Sequence, residues 1–364
     1  MKKRMKLFVA LLLCALLALP LAAGLGGCKD STQKIGILMP SENEPRWQQD
    51  SENLSKQLKA KGYKAEIKNA RSDAATQIEQ IQKMIDDNFN ILVVAPHDGA
   101  SLTAVLQKAA DKGIKIIAYD RLLMNTPNVD YYVTFDNYEV GALQGRYIEK
   151  TLDLKNAAVT WSFNIEIFAG AKTDNNAFFF YNGAMDVLQP HIDSGKLFVQ
   201  SNETEMDDVT TLEWAKDNAK TRMASLLEEY YGDNILHAVL SPNDGLAMGI
   251  IEALKDGGYG VGDGKKAMPL ITGQDSDKVN VQAIIDGFQA MTVFKDTREL
   301  ANRTFRIVDA LLLGNTPETN DTTTYNNGVK FVPTYMCKPV EVTKANYKAE
   351  LIDSGYYKIT DFTV

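Results

Sequence analysis

The sequence predicts an α/β protein of two lobes, each a parallel sheet covered by helices on both faces. Three observations carry that prediction. Short apolar runs alternate with longer amphipathic stretches along nearly the whole chain, and the connections between them are short. A strand–Pro–Asp–Gly–helix phrase also occurs twice, at Val94-Ala95-Pro96-His97-Asp98-Gly99 and Leu240-Ser241-Pro242-Asn243-Asp244-Gly245. Alternating strands and helices need right-handed crossovers, which build parallel sheets. Two related lobes explain the repeated phrase, in which each aspartate is expected to cap a helix and each glycine to permit a tight entry.

The elements follow in order. Strands are expected at 34–39, 64–68, 91–95 and 114–119, alternating with helices at 47–61, 74–88 and 100–112. The rhythm resumes with a strand at 156–163, placing Trp161 in the core, then a helix at 175–189, a strand at 197–200 and a helix at 212–230. Strands at 237–240, 268–272 and 290–294 alternate with helices at 245–256, 279–287 and 298–313. The Thr- and Asn-rich loop 314–328 reads as the least structured part.

Composition narrows the function. The 364 residues exceed one ordinary core and suit about two domains. At 45% hydrophobic and 24% charged, the chain is neither disordered nor fibrous. Its 39 basic against 47 acidic residues, a net −8, argue against a general nucleic-acid binder. Three cysteines make no disulfide framework, and no Cys-x-x-Cys pair suggests zinc or redox chemistry. Cys337 reads as a small buried apolar residue.

The front end reads as an address. Lys2, Lys3, Arg4 and Lys6 precede an apolar run from Leu7 to Ala23, then Gly24-Leu25-Gly26-Gly27-Cys28. A basic stretch, an apolar segment and small residues at a cleavage point form a secretory signal, here 1–27. The Leu-Gly-Gly-Cys run resembles the bacterial lipoprotein box, which implies a lipidated Cys28 and a tether over 28–33. The apolar run is short for a membrane span and ends in glycines. Without its four basic residues the chain is near −12.

In open parallel sheets, ligands bind beyond the carboxyl ends of the strands. Those positions here hold Arg46 and Trp47, Asp120 and Arg121, Asn243 and Asp244, Gln274 and Asp275, and Lys295 and Asp296. Asp174, Asn175 and Asn176 open a further helix. Arginine, lysine, aspartate and asparagine offer fixed donor and acceptor forks, which suit adjacent hydroxyls on a sugar ring. A tryptophan supplies a flat face for the ring's C–H side. Phosphate sites lean instead on glycine loops, helix N-termini and cations. Plainer readings stand beside these: a surface Arg121–Asp120 pair, a core Trp47 beside Leu54 and Leu58, and an open place for Trp214. Asp275 has no obvious structural partner nearby.

Catalysis finds little support. The histidines are His97, His191 and His237, and no nucleophile-elbow, His-Glu-x-x-His or P-loop motif is present. Gly258-Tyr259-Gly260-Val261-Gly262 follows a helix, so it lacks the strand-to-helix setting of a dinucleotide loop. Asp120 and Asp275 invite comparison with a glycosidase pair, but sequence gives no separation for them. No calcium-loop run of alternating Asp and Asn occurs, so neither a metal nor a cofactor is expected.

These residues resemble the type I periplasmic sugar-binding proteins of ABC transporters, especially the multiple-monosaccharide and xylose binders. The resemblance covers Lys34 to Lys358. It rests on Pro45-Arg46-Trp47, Ala118-Tyr119-Asp120-Arg121, Phe135-Asp136-Asn137, Asp174-Asn175-Asn176-Ala177, the second Pro-Asn-Asp-Gly phrase, Gly273-Gln274-Asp275, Thr292 to Ala301, and Asn327-Gly328-Val329-Lys330. It implies two Rossmann-like lobes joined by three crossing strands, with boundaries at 34–137 with 296–335 and 138–295 with 336–364. It further implies that Arg46, Asp120, Arg121, Asp174, Asn176, Asn243, Asp275 and Lys295 hydrogen-bond a monosaccharide, with Trp47 and Trp214 stacking on it. The implied setting is a monomer, lipid-anchored outside the cytoplasm, that closes on its ligand and delivers it to a permease–ATPase complex; a variant role presents the sugar to a sensor kinase or chemoreceptor. Xylose binders carry an arginine soon after Asp-Asn-Asn, whereas this chain has Phe178-Phe179-Phe180-Tyr181, closer to the multiple-sugar group. A transcription regulator of the same fold would need a helix-turn-helix head and a basic face, and neither occurs.

Overall fold

The computed structural model describes residues 32–42 and 44–363. The expected signal 1–27, Cys28 and all of the tether but residues 32 and 33 lie outside them. In the first lobe, β1 (Lys34–Met39), α1 (Pro45–Ala60), β2 (Lys64–Asn69), α2 (Ala74–Asp86), β3 (Ile91–Val94), α3 (Thr103–Asp111), β4 (Lys115–Tyr119) and β5 (Tyr131–Phe135) alternate as expected. A later strand, Thr334–Cys337, completes a wholly parallel sheet beside β5, in which the order runs β5-β4-β3-β1-β2. The strands are continuously apolar because both faces are covered. Leu38, Leu92, Val94 and Ile116 pack on one side with Ile81 and Leu106, and Ile37, Val93, Ile117 and Tyr119 on the other with Trp47, Leu54 and Leu58.

The second lobe holds α4 (Asn137–Thr151), β6 (Phe163–Ile167), α5 (Asn175–Asp193), β7 (Leu197–Phe198), α6 (Lys216–Tyr230), β8 (Ala238–Leu240) and α7 (Asp244–Asp256). After them come β9 (Tyr259–Gly260), β10 (Lys266–Ala267), β11 (Leu270–Ile271), α8 (Lys278–Asp286) and β12 (Met291–Phe294). The sheet order β11-β8-β6-β7 repeats that of the first lobe. β12 extends it, since Ala290 N donates to Ile271 O and Val293 N to Gly273 O, each at 3.0 Å. α9 (Thr297–Leu312) returns to the first lobe and packs on α1. β13 (Thr334–Cys337) joins the first sheet, and β14 (Val340–Thr343) pairs antiparallel with β12. The chain thus crosses between lobes at Asp136, at Lys295-Asp296 and at Lys338-Pro339.

Several expectations are corrected. The strand expected at 156–163 lies at Phe163–Ile167, where Ile165 and Ile167 are buried; the segment before it is turn and loop, and Trp161 is 59% exposed. β5, α4, β13 and β14 were not expected as elements. Loop 314–328 carries no regular element, as expected, but is tied down: Asp321 bridges Thr334, Asn326 bridges Phe331, and Tyr325 is buried. The repeated phrase caps differently from expectation. Asn243, not Asp244, caps α7 by accepting from Leu246 N at 3.0 Å. Asp98 accepts from Ala100 N in a turn ahead of α3, whose helical residues begin only at Thr103.

Candidate functional site

A small cavity lies between the lobes at the carboxyl ends of the strands, lined by Arg46, Trp47, Asp120, Arg121, Asp174, Asn176, Trp214, Asn243, Asp275 and Lys295. All ten residues expected at a ligand site therefore face one space. Glu44, Phe180 and Gln274 line it too and were not among the expected ligand contacts. Phe180 was legible in principle, because it follows Asn176 by four residues on α5 and so shares its face.

Arg46 organises the first-lobe wall. Pro45 opens α1 at a position where its missing N–H costs nothing, so Arg46 and Trp47 fall in the first turn. The guanidinium reaches three carboxylates: Nη2 lies 2.6 Å from Asp120 and 3.2 Å from Asp50, and Nη1 lies 3.1 Å from Asp275. Tyr119 donates to the other oxygen of Asp50 at 2.5 Å. Both arginines stack on Trp47, Arg46 at 4.5 Å and Arg121 at 5.1 Å from the ring centre. Trp47 therefore serves core and cavity at once, being only 2% exposed while lining the site.

Asp120 takes a left-handed backbone, φ 58°, rare for a residue with a side chain. The surroundings hold it there. Its carbonyl accepts from Tyr132 Oη at 2.5 Å, Asn176 Nδ2 at 2.7 Å and Thr134 Oγ1 at 2.9 Å. Burial pushes its carboxyl upward, but Arg46 and Lys295 outweigh that and bring it below the usual range. Asp50, equally buried but with Asp120 beside it, is pushed up to about 6.

The second-lobe wall supplies acceptors. Asp174 caps α5 through Asn176 N at 2.9 Å and meets Arg121 Nε at 3.1 Å, so Arg121 pairs across the cleft and not with Asp120. Burial raises Asp174 despite that arginine. Asp275, with φ 100°, stands between Arg46 and Lys295 Nζ, the latter 2.8 Å away. These are the partners that its sequence setting did not reveal. Gly273 beside it is required by close approach: a Cβ there would lie 2.1 Å from Asp244 Oδ1. Trp214 stands in a short 3-10 turn before α6, its ring edge-on to Phe180 at 6.3 Å.

The buried indole Nε1 atoms of Trp47 and Trp214 and the Gln274 Oε1 have no protein partner among the described residues. Among those residues, no group of three or more His, Cys, Asp or Glu is placed to hold a metal ion, and no helix is long and apolar enough to cross a membrane. His191 pairs with Glu149 and His237 accepts from Asn164 N, so neither faces the cavity. The site can offer paired cations and carboxylates to a polar ring between two aromatic faces.

Comparison with known proteins agrees with this geometry. The model of a periplasmic binding protein domain matches residues 35–316. A multiple sugar-binding periplasmic protein of Azospirillum brasilense is 51% identical over 328 residues, 90% of each chain. The D-xylose-binding periplasmic protein of Escherichia coli is 35% identical over 325 residues, 89% of this chain and 91% of that one. An ABC transporter solute-binding protein from Clostridium phytofermentans with bound β-D-glucose superposes with a TM-score of 0.86 at 45% identity, over 90% of this chain and 99% of that one. By fold, site and sequence, the chain belongs to the periplasmic binding protein family, in the type I sugar-binding group.

Proposed function

We propose that this protein is the extracytoplasmic substrate-binding component of a sugar ABC transporter, taking a monosaccharide aldose into the interlobe cleft. The observation that carries the reading is the cleft itself. Arg46, Arg121 and Lys295 interleave with Asp120, Asp174 and Asp275 between Trp47 and Trp214. With Glu44 also on the lining, the acidic residues are no fewer than the basic ones, which favours a neutral polyol over an anion. Each hydroxyl finds a charge-assisted partner, and the indoles cover the ring's apolar faces. Asn176 and Asn243 complete the polar set, and Phe180 belongs to the apolar run 178–181, which stands after Asp-Asn-Asn where the resemblance to xylose binders implies an arginine and so favours a multiple-sugar site. Binding is the whole task; no catalytic step is assigned.

The lobes, expected at 34–137 with 296–335 and 138–295 with 336–364, hinge about the three crossings, which move the first and third divisions to Asp136 and Lys338 so that α4 and β13 stay whole. Sugar contacts both lobes and stabilises the closed form, which docks as a monomer on the permease of a permease–ATPase complex. Lipidation of Cys28 after removal of 1–27 tethers the protein to the outer face of the membrane. The second reading is a receptor role, in which the loaded protein presents sugar to a sensor kinase or chemoreceptor; a Rhizobium radiobacter relative, 51% identical over 324 residues, is likewise named a multiple sugar-binding periplasmic receptor.

The test is thermal unfolding of refolded protein against D-glucose, D-galactose, D-xylose, L-arabinose, D-ribose, fructose and a disaccharide. Sugar at about 1,000 times its dissociation constant adds about 4 kcal/mol, a rise of several degrees. A rise with several aldoses is expected; none with any monosaccharide overturns the reading.

A further inference from the structure

Two of the sequence motifs that mark the family, Phe135-Asp136-Asn137 and Asn327-Gly328-Val329-Lys330, do not line the cleft. The first forms the first crossing between the lobes, and the second anchors on residues 123–126 a segment whose Tyr325 reaches that crossing. Residues 313–333 join α9 to β13 without regular structure, and connections of that length in compact domains usually have a function of their own. This one is a strap. Asn327, fully buried, donates to Leu123 O at 3.1 Å and Thr126 O at 2.7 Å, while its own carbonyl accepts from Asn125 N at 2.7 Å. Gly328, at φ 89°, turns the chain beside Asn125.

So anchored, the strap inserts Tyr325 against the crossing. The Tyr325 hydroxyl donates to Phe135 O at 3.0 Å and accepts from the backbone N and side-chain Nδ2 of Asn137, each at 3.3 Å. Its ring meets Tyr132 of the first lobe edge-on at 5.1 Å and Phe179 of the second lobe at 5.0 Å. Asn137 Nδ2 also reaches Asn176 Oδ1 at 3.0 Å, and Asn176 Nδ2 holds the carbonyl of Asp120. One continuous path thus runs from the strap, through the crossing, to the strained aspartate that pairs with Arg46.

We propose that Tyr325 and Asn137 are positioning residues for ligand binding: the strap fixes the angle at which the second lobe leaves β5, and so sets how much of the protein is closed and competent. This rests on the sugar-binding reading. Tyr325 itself does not line the cavity, so it acts on affinity through the crossing and the residues it holds, and the ligand-free lobe equilibrium is the readout that a purely local effect would not move. If the competent fraction falls tenfold, the apparent dissociation constant rises tenfold.

The test compares Tyr325→Phe and Phe179→Leu with the unaltered chain, all ligand-free at the start. Titration calorimetry with an aldose that binds the unaltered protein gives affinity, and small-angle X-ray scattering gives the radius of gyration with and without that sugar. Both variants are expected to weaken binding about tenfold and to enlarge the ligand-free radius of gyration, while sugar still returns them to the compact value. Phe179→Leu keeps the test decisive if Tyr325→Phe fails to fold. Affinity within twofold of the unaltered chain, or an unchanged ligand-free radius in folded variants, overturns the proposal. If the unaltered protein binds no aldose, the functional reading fails instead, and the ligand-free scattering still decides whether the strap sets the lobe angle.

Discussion

The two walls of the cleft are built on the same strand order but satisfied in opposite ways. On the first-lobe wall, Arg46 is held within its own lobe by Asp50 and Asp120, and Trp47 is packed into the core beneath two guanidinium groups. On the second-lobe wall, the carboxylates look outward: Asp174 finds its cation on Arg121, and Asp275 finds Arg46 and the crossing residue Lys295. Separating the lobes therefore leaves the first wall largely neutralised, while it takes Arg121 from Asp174 and Arg46 from Asp275 and leaves the second wall only Lys295. The first wall is scaffold as well as site, whereas the second depends on closure for its electrostatics.

The sharpest way to break this asymmetry is Arg46→Ala. It leaves Asp50 and Asp120 buried in the first lobe without their cation, and breaking a buried ion pair from one side costs about 3–5 kcal/mol. Calorimetric unfolding of the ligand-free protein is expected to show that loss together with lost sugar binding. A variant as stable as the parent would mean that the first wall is not scaffold.

Asp275→Ala probes the other wall. Arg46 keeps two carboxylates but buried Lys295 loses its ion-pair partner, so the unfolding temperature is expected to fall, though less than in Arg46→Ala. Affinity is expected to fall by about 2–5 kcal/mol, the range for truncating one member of a buried charged pair at an interface. Arg121→Ala, which uncovers Asp174, acts in the same direction. Wild-type affinity in both folded variants would remove these residues from the site.

The fold and these site residues were legible in the sequence for different reasons. β1, β3 and β4 are fully covered, so burial on both faces wrote them as unbroken apolar runs. The site followed from a single rule, that polar residues just past such strands face a ligand. β5 and β13 are hard to read because tyrosines, two threonines and a cysteine dilute their apolar signal, and their mutual pairing joins residues about 200 positions apart. The strand at 163–167 was displaced because Asn164 and Glu166 interrupt it. Glu166 is buried by hydrogen bonds to Tyr231 and Ser201 that local sequence does not reveal. Asp275's partners were hidden for the same reason: one is 229 positions away.

Proton uptake separates the lobes by pH. Burial raises Asp50 of the first lobe from 3.8 to about 6, and burial together with the Asp275 carboxylate raises Asp277 of the second to about 7. A carboxyl raised on folding binds its proton more tightly in the native state. Its contribution is therefore complete below the unfolded value and is lost as pH rises to the folded one. Ligand-free stability is expected to fall between pH 4 and 6 by about 3 kcal/mol through Asp50, and to continue falling towards pH 7 through Asp277. Asp50→Asn should flatten the lower part of that slope and leave the upper part. Stability that rises across this window, in urea titrations at fixed salt, would contradict the burial of both groups.

The smallest effect is expected where neither wall is touched. Trp161 reads from sequence as a core residue, yet it stands 59% exposed before β6, with an edge contact to Phe163 at 6.2 Å. A largely solvated indole contributes little burial, and surface substitutions away from caps and networks usually fall within about 0.5 kcal/mol. Trp161→Ser should therefore leave both the unfolding midpoint and sugar affinity unchanged. The contrast with Trp47, which is buried among Ile37, Val93 and Leu54, then isolates position from residue type. A loss above about 2 kcal/mol at Trp161 would mean that β6 begins earlier and that the second lobe buries this ring after all.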